Sequence, residues 1–151
     1  MKKFNVRVYG ILIENNNLLV SDEYLHGKEI TKFPGGGLEY GEGTLDCLLR
    51  EFKEEMDLAV EIIGHFYTTD FFVNSAFSQK SQVISIYYHV RALESFKFPT
   101  THRKFDFVEK KEGAQSLRWV SLSQLSENDF TFVIDKKVTI LLTTEKKMLE
   151  I

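Results

Sequence analysis

A disulfide framework is excluded at the outset, because the chain contains one cysteine, Cys47. A lone thiol closes no intramolecular bridge and suits a reducing compartment, so a cytoplasmic protein is expected. Long apolar runs are lacking as well, and nothing approaches the roughly 18 to 20 residues of a membrane-spanning helix. Met1-Lys2-Lys3 has the charge of a secretory leader, but Arg7 breaks what would be its apolar stretch. Positive charge is not in excess either. A formal net charge of −3 argues against a general nucleic-acid coat or an anionic membrane surface as partner. There is no internal repeat, linker or low-complexity tail. Residues 1–151 are therefore expected to form a single domain, long enough to bury a real core.

What is present is an ordinary globular balance, 43% hydrophobic and 27% charged, with 13 Phe and six Tyr to supply a core and a binding cleft. Asn5 to Ile13 alternates and is β-branched, which predicts a strand, with Gly10 marking a bulge or a close backbone approach. The asparagines at 15 to 17 predict a turn, and Leu18 to Ser21 the returning strand. Asp22 to Glu29 is polar and reads as a loop, and Ile30 to Phe33 as a short strand that Pro34 ends. Val60 to Phe66, extending toward Phe72, is strand-like, and Asn74 to Ser81 is a connection. Gln82 to Ala92 carries bulk on both faces and reads as a central strand. Thr100 to Lys104 has the character of an exposed loop, and Leu117 to Val120 of a strand leading into a turn. Asp135 to Leu149 has helical spacing through Val138, Leu141, Leu142 and Met148, with Asp135 as its N-cap. Strands, a helix, more strands and a terminal helix predict an α/β sandwich.

The stretch from Gly35 to Val60 organises the rest. Gly35, Gly36, Gly37 and Gly41 predict a loop with unusual backbone angles. From Thr44 to Met56 the residues Leu45, Leu48, Leu49, Phe52 and Met56 recur at helical spacing and predict a buried stripe. Glu51, Glu54 and Glu55 stand at i, i+3 and i+4, a separate acidic cluster in which like charges repel and call for a counter-charge. Such carboxylates hold hard divalent cations such as Mg²⁺ together with water and phosphate oxygens. A solvated acidic face is the plain alternative for a lone E-x-x-E-E.

In order, Gly36, Glu42, Arg50-Glu51, Phe52, Glu54-Glu55 and Leu58 match G-x5-E-x7-R-E-U-x-E-E-x-G-U, where U is a bulky apolar residue. This pattern resembles the Nudix hydrolase signature at every defined position but one, where Asp57 replaces the last glycine. That position follows the helix, where a left-handed residue commonly ends it. Asp tolerates this conformation better than most residues, so the turn is expected to survive.

The resemblance implies a Nudix-type α/β/α sandwich, a mixed sheet between helices, and a hydrolase that cleaves the diphosphate of a nucleoside diphosphate linked to another moiety. It implies Mg²⁺ or Mn²⁺ held by Glu51, Glu54 and Glu55 with the Gly36 carbonyl, and Glu54 or Glu51 as the base. Arg50 would orient a glutamate, although a simple i, i+4 ion pair to Glu54 is the plain reading. Glu42 would contact metal or serve the helix dipole. Cys47 would be a small filler or, less simply, a ligand. Family members place a further glutamate before the tryptophan strand, and Glu112 fits best, with Glu109 and Asp106 as rivals. No apolar residue from Glu109 to Ser116 anchors that loop, so ligand is expected to order it. Tyr67, Phe71, Phe72 and Tyr87 could stack a base or fill the core, and the substrate-binding residues are not legible. His26, His65, His89 and His102 show no metal spacing. The expected partner is a small nucleotide derivative bound by a monomer or homodimer. The rival function is a Nudix-fold nucleotide-binding or regulatory domain without turnover.

Overall fold

The computed structural model describes residues 1–149, with side-chain environments through Glu145. In chain order the elements are β1 (Lys3–Glu14), β2 (Asn17–Leu25), β3 (Lys28–Lys32), β4 (Gly35–Gly37), α1 (Thr44–Met56), β5 (Val60–Thr68), β6 (Asn74–Ser75), β7 (Ser78–Ala92), β8 (Thr100–Thr101), β9 (Gln115–Ser121), a 3₁₀ turn (Glu127–Asp129) and α2 (Val133–Leu149). Strand pairing is mixed, and with two helices the α/β class is as expected. The chain divides into two compact units, one of residues 1–12 and 34–98, the other of residues 13–33 and 99 onward.

In the first unit β7 is internal, as its two apolar faces predicted. It pairs in parallel with β1 from Lys3↔Ser81 to Leu12↔Val90, and antiparallel with β5. The pairing of β1 and β7 runs through Gly10 without a bulge. Instead, Gly10 admits the ring of Phe52, since a Cβ there would lie 2.6 Å from Phe52 Cε2. The glycine stretch corrects the loop expectation. Gly35–Gly37 is a short strand antiparallel to β1, with Val8 opposite Gly36. Flanking bonds from Gly10 N to the Pro34 carbonyl and from Leu38 N to the Val6 carbonyl hold it there. Pairing supplies what the residues' low β-propensity withholds. Asn74 to Ser81 is likewise paired, as β6 and the start of β7.

Helix α1 spans the predicted residues, but its buried stripe is Cys47, Leu48, Phe52 and Met56. Leu48, Phe52 and Met56 are buried as expected, while Leu45 and Leu49 are 47% and 41% exposed and Cys47 is buried in their stead. The helix ends at Asp57 with φ 47° and ψ 44°, the left-handed cap predicted for it, and Asp57 N bonds the Lys53 carbonyl.

In the second unit β2 pairs antiparallel with β3 and β9, and β8 lies parallel to β9. Asp22 to Glu29 is therefore a strand hairpin and not a loop. Its polarity misleads because Asp22 is buried against Arg118, which donates to both carboxylate oxygens at 2.7 and 3.0 Å. Thr100 and Thr101 form a strand where a loop was expected. Helix α2 starts at Val133, so Asp135 lies in its first turn and is not the N-cap. Ile134, Val138 and Leu142 are its buried apolar positions, with Asp135 and Thr139 buried beside them, and the side chain of Met148 lies outside the described residues.

Candidate active site

The glycine strand and α1 meet within the first unit. A Cβ built on Gly36 would lie 2.4 Å from Cδ of Glu51, and 2.5 and 2.6 Å from its carboxylate oxygens. The Glu51 carboxylate thus packs directly on the glycine, and only a residue without a side chain leaves it that place. Glu51 is 13% exposed, while Glu54, one turn on, is 60% exposed. The Oε2 atom of Glu55 is fully buried.

Arg50 ties the cluster together. Its Nη1 lies 3.0 Å from Glu51 Oε1 and 3.2 Å from Glu54 Oε2, so both carboxylates turn toward one point. The Nε and Nη2 atoms donate to Glu42 at 3.0 and 2.6 Å, a bidentate pair, and Nη2 also reaches the Gly37 carbonyl at 3.2 Å. The i, i+4 pair to Glu54 expected from spacing is present, but Glu42 is the closer partner. That settles Glu42 as an anchor for Arg50. Hydrogen bonding from Arg50 holds the Glu42 carboxyl down at about 2, helped by the Glu39 N–H. The same contact raises Arg50 above the ordinary arginine range. Asp46, in the first turn, also lies at the positive end of the helix dipole, and its Oδ2 accepts from Gly43 N at 3.3 Å.

Cys47 is fully buried, and desolvation pushes its thiol up to about 12. It packs in the buried stripe of α1, with Sγ 3.5 Å from the Gly37 carbonyl oxygen. Among the described residues no three His, Cys, Asp or Glu side chains already form a cation cage. The donors nevertheless fit a hard cation. They are carboxylate oxygens, those of Glu51 seated where Gly36 lacks a Cβ and those of Glu54 one turn on, both in contact with Arg50 Nη1.

Glu112 belongs to the second unit. Its Oε1 accepts from His26 N at 2.7 Å, and Gly113 N bonds the Tyr24 carbonyl at 2.9 Å. The loop expected to lack an anchor is therefore held by backbone hydrogen bonds, a kind of anchor that apolar patterning does not reveal. Asp106 bonds Thr101 and Arg103, and Glu109 pairs with Lys111. Tyr67 and Tyr87 are core residues, while Phe71 and Phe72 are 38% and 67% exposed. His65 bonds Thr68 and meets the Tyr88 ring, and His89 meets Phe66 edge-on, both structural roles.

One residue escaped sequence reasoning. Arg7 pairs across the sheet with Gly37, and a Cβ on Gly37 would lie 3.6 Å from its Nη1. Its Nε donates to the Tyr9 hydroxyl at 2.5 Å, which orients the guanidinium. Arg7 alternates with Val6 and Val8, but only the pairing of β4 brings the glycines to it.

The chain is similar in fold to a MutT Nudix hydrolase from Burkholderia pseudomallei, with TM-score 0.68 and 17% identity over 90% of this chain and 95% of that one. A MutT-type Nudix protein from Staphylococcus aureus aligns with TM-score 0.62 and 24% identity over 96% and 99% of the two chains. An ADP-ribose pyrophosphatase from Streptococcus suis aligns with TM-score 0.55 and 15% identity over 92% and 91%. A comparison with curated proteins finds no match. The family model of the NUDIX domain matches residues 3–142, across both units and including the whole of the box, so the chain belongs to the Nudix hydrolase family.

Proposed function

We propose that the protein is a Mg²⁺- or Mn²⁺-dependent pyrophosphohydrolase acting on the diphosphate of a nucleoside diphosphate joined to another moiety. The observation that carries this reading is the Glu51 carboxylate seated on Gly36, with Glu54 joined to it through Arg50 Nη1. Glu51, Glu54 and Glu55, with the Gly36 carbonyl, would hold the cation. When bound, that cation neutralises charge developing on phosphate oxygens and lowers the pKa of attacking water.

The chain's own groups divide the remaining work. Glu51 is walled in by Gly36 and Arg50, which suits a fixed ligand. Glu54 is the more exposed carboxylate and the better placed to take a proton from water. Arg50, held by Glu42, fixes the direction of both carboxylates. Water adds to one phosphorus, the P–O–P bond breaks, and two phosphorylated products leave. The Streptococcus suis neighbour is named for a substrate of this class. The setting proposed is cytoplasmic, and among the described residues no helix is long and apolar enough to cross a membrane.

A panel of nucleoside diphosphate derivatives assayed with Mg²⁺ and with EDTA tests the proposal. Release of nucleoside monophosphate in the first condition alone is expected. Tight nucleotide binding without turnover across the panel would favour a binding or regulatory role.

A further inference from the structure

The first unit carries a concavity lined by none of the box residues. A cavity of about 450 Å³ opens where β1 begins, bounded by Lys2, Lys3 and Lys80 and by the rings of Phe4 and Phe72. That volume lies within the roughly 300 to 1,000 Å³ of small-molecule pockets. Strand register assembles it: Lys3 stands opposite Ser81, Phe4 opposite Gln82, and Asn74 opposite Gln82. The amides of Asn74, Gln79 and Gln82 complete the wall.

The chemistry of this wall is one-sided. Three lysines line one cavity in a chain of net charge −3, and no acidic residue lines it. Among the described residues no ion pair engages Lys2, Lys3 or Lys80. Phe4 and Phe72 are 66% and 67% exposed, so neither serves the core. Lysines without anions beside uncovered rings and amides make a surface complementary to a flat aromatic group bearing phosphate. Amides of this kind can read the hydrogen-bonding edge of a base.

We propose that this cavity binds a nucleoside phosphate, its base against Phe72 and Phe4 and its phosphate on the lysines. Two sources share that chemistry. From Lys3 to Arg7, the partner of Gly37, β1 advances about 13 Å at strand rise. The far end of a substrate engaged at the glycine strand could span this length, and a separate nucleotide could also occupy the cavity. The assignment does not rest on the hydrolytic reading.

Calorimetric titration of the full chain in EDTA and low salt tests it, using AMP, inorganic phosphate and adenosine as probes. AMP should bind saturably at one site per chain and weaken as salt rises. Phosphate and adenosine should each bind at least about tenfold more weakly, since each lacks one half of the contact. The Lys3→Gln/Lys80→Gln pair and, separately, Phe72→Ala should each weaken AMP about tenfold with unchanged melting. In turnover assays with Mg²⁺, raised KM at constant kcat in these variants identifies the substrate's far end. Unchanged KM with a rate that responds to added AMP identifies a second nucleotide. Absence of saturable AMP binding at millimolar concentrations, or wild-type AMP affinity in both folded variants, overturns the proposal. Failure of wild-type turnover would count against the hydrolase and leave the AMP result standing.

Discussion

Replacing Gly36 with alanine separates the site from the fold more cleanly than any change to a charged residue. The new methyl would stand 2.4 Å from Glu51 Cδ, whereas ordinary contacts begin at 3.4 Å, so the carboxylate must withdraw by about 1 Å. What moves is the far end of a flexible side chain, and Gly36 does not have a left-handed φ. The melting temperature should therefore stay within about 3 °C of wild type. A displacement near 1 Å at a reacting centre costs on the order of 10²-fold in rate, and that is the loss expected in kcat. Gly35→Ala is the contrasting control. At φ 145°, its Cβ would lie 2.1 Å from the Val8 carbonyl oxygen, a backbone atom that cannot swing away, and the fold itself should suffer. Steady-state hydrolysis and thermal melts of both variants decide the matter. Wild-type kcat in folded Gly36→Ala, or a loss of activity matched by a collapse in melting temperature, would refute the reasoning.

Arg50→Lys keeps the charge but cannot reach Glu42, Glu51 and Glu54 together. It should lower kcat and Mg²⁺ affinity by roughly 10- to 100-fold, read by kinetics and calorimetry. Glu42 has a depressed folded pKa, so its stabilising contribution is complete above its ordinary value of 4.5 and is lost as pH falls toward about 2. Melts should accordingly show Glu42→Gln less stable than wild type near neutrality, with the gap closing across that interval. Asp57 pairs with Lys53 at 2.6 Å and Lys97 at 3.6 Å, contacts a glycine would forgo while easing the left-handed backbone. Asp57→Gly should thus leave the melting temperature nearly unchanged, and Asp57→Ala, which forgoes the pairs and keeps the Cβ, should lower it. Glu112→Gln should reduce kcat beyond any change in metal affinity, and full turnover beside a dead Glu109→Gln or Asp106→Asn would move the outlying carboxylate elsewhere.

The box was legible because its chemistry is local. Spacing along one helix brings Glu51, Glu54 and Arg50 together whatever the rest of the chain does, and the left-handed state of Asp57 follows from its place after the helix. Pairing was not legible. Three glycines have no intrinsic preference for a strand, and only β1 makes them one. Asp22 looked like loop because its buried partner, Arg118, stands 96 residues away in sequence. Leu45 and Leu49 fit the helical stripe better than Cys47 does, yet they are exposed and Cys47 is buried. Apolar character alone could not say which flank of the arc would remain exposed. The bidentate grip of Glu42 on Arg50 was hidden for a related reason, since it depends on how the chain turns into the helix.

The most direct test of the central claim is kcat for Glu51→Gln and Glu54→Gln on the best substrate with Mg²⁺ in excess. Each change keeps the side-chain shape and removes one negative charge, so folding should be preserved, as circular dichroism would report. Turnover should fall by roughly 10²-fold or more in both. Near-normal turnover in either folded variant would contradict the account.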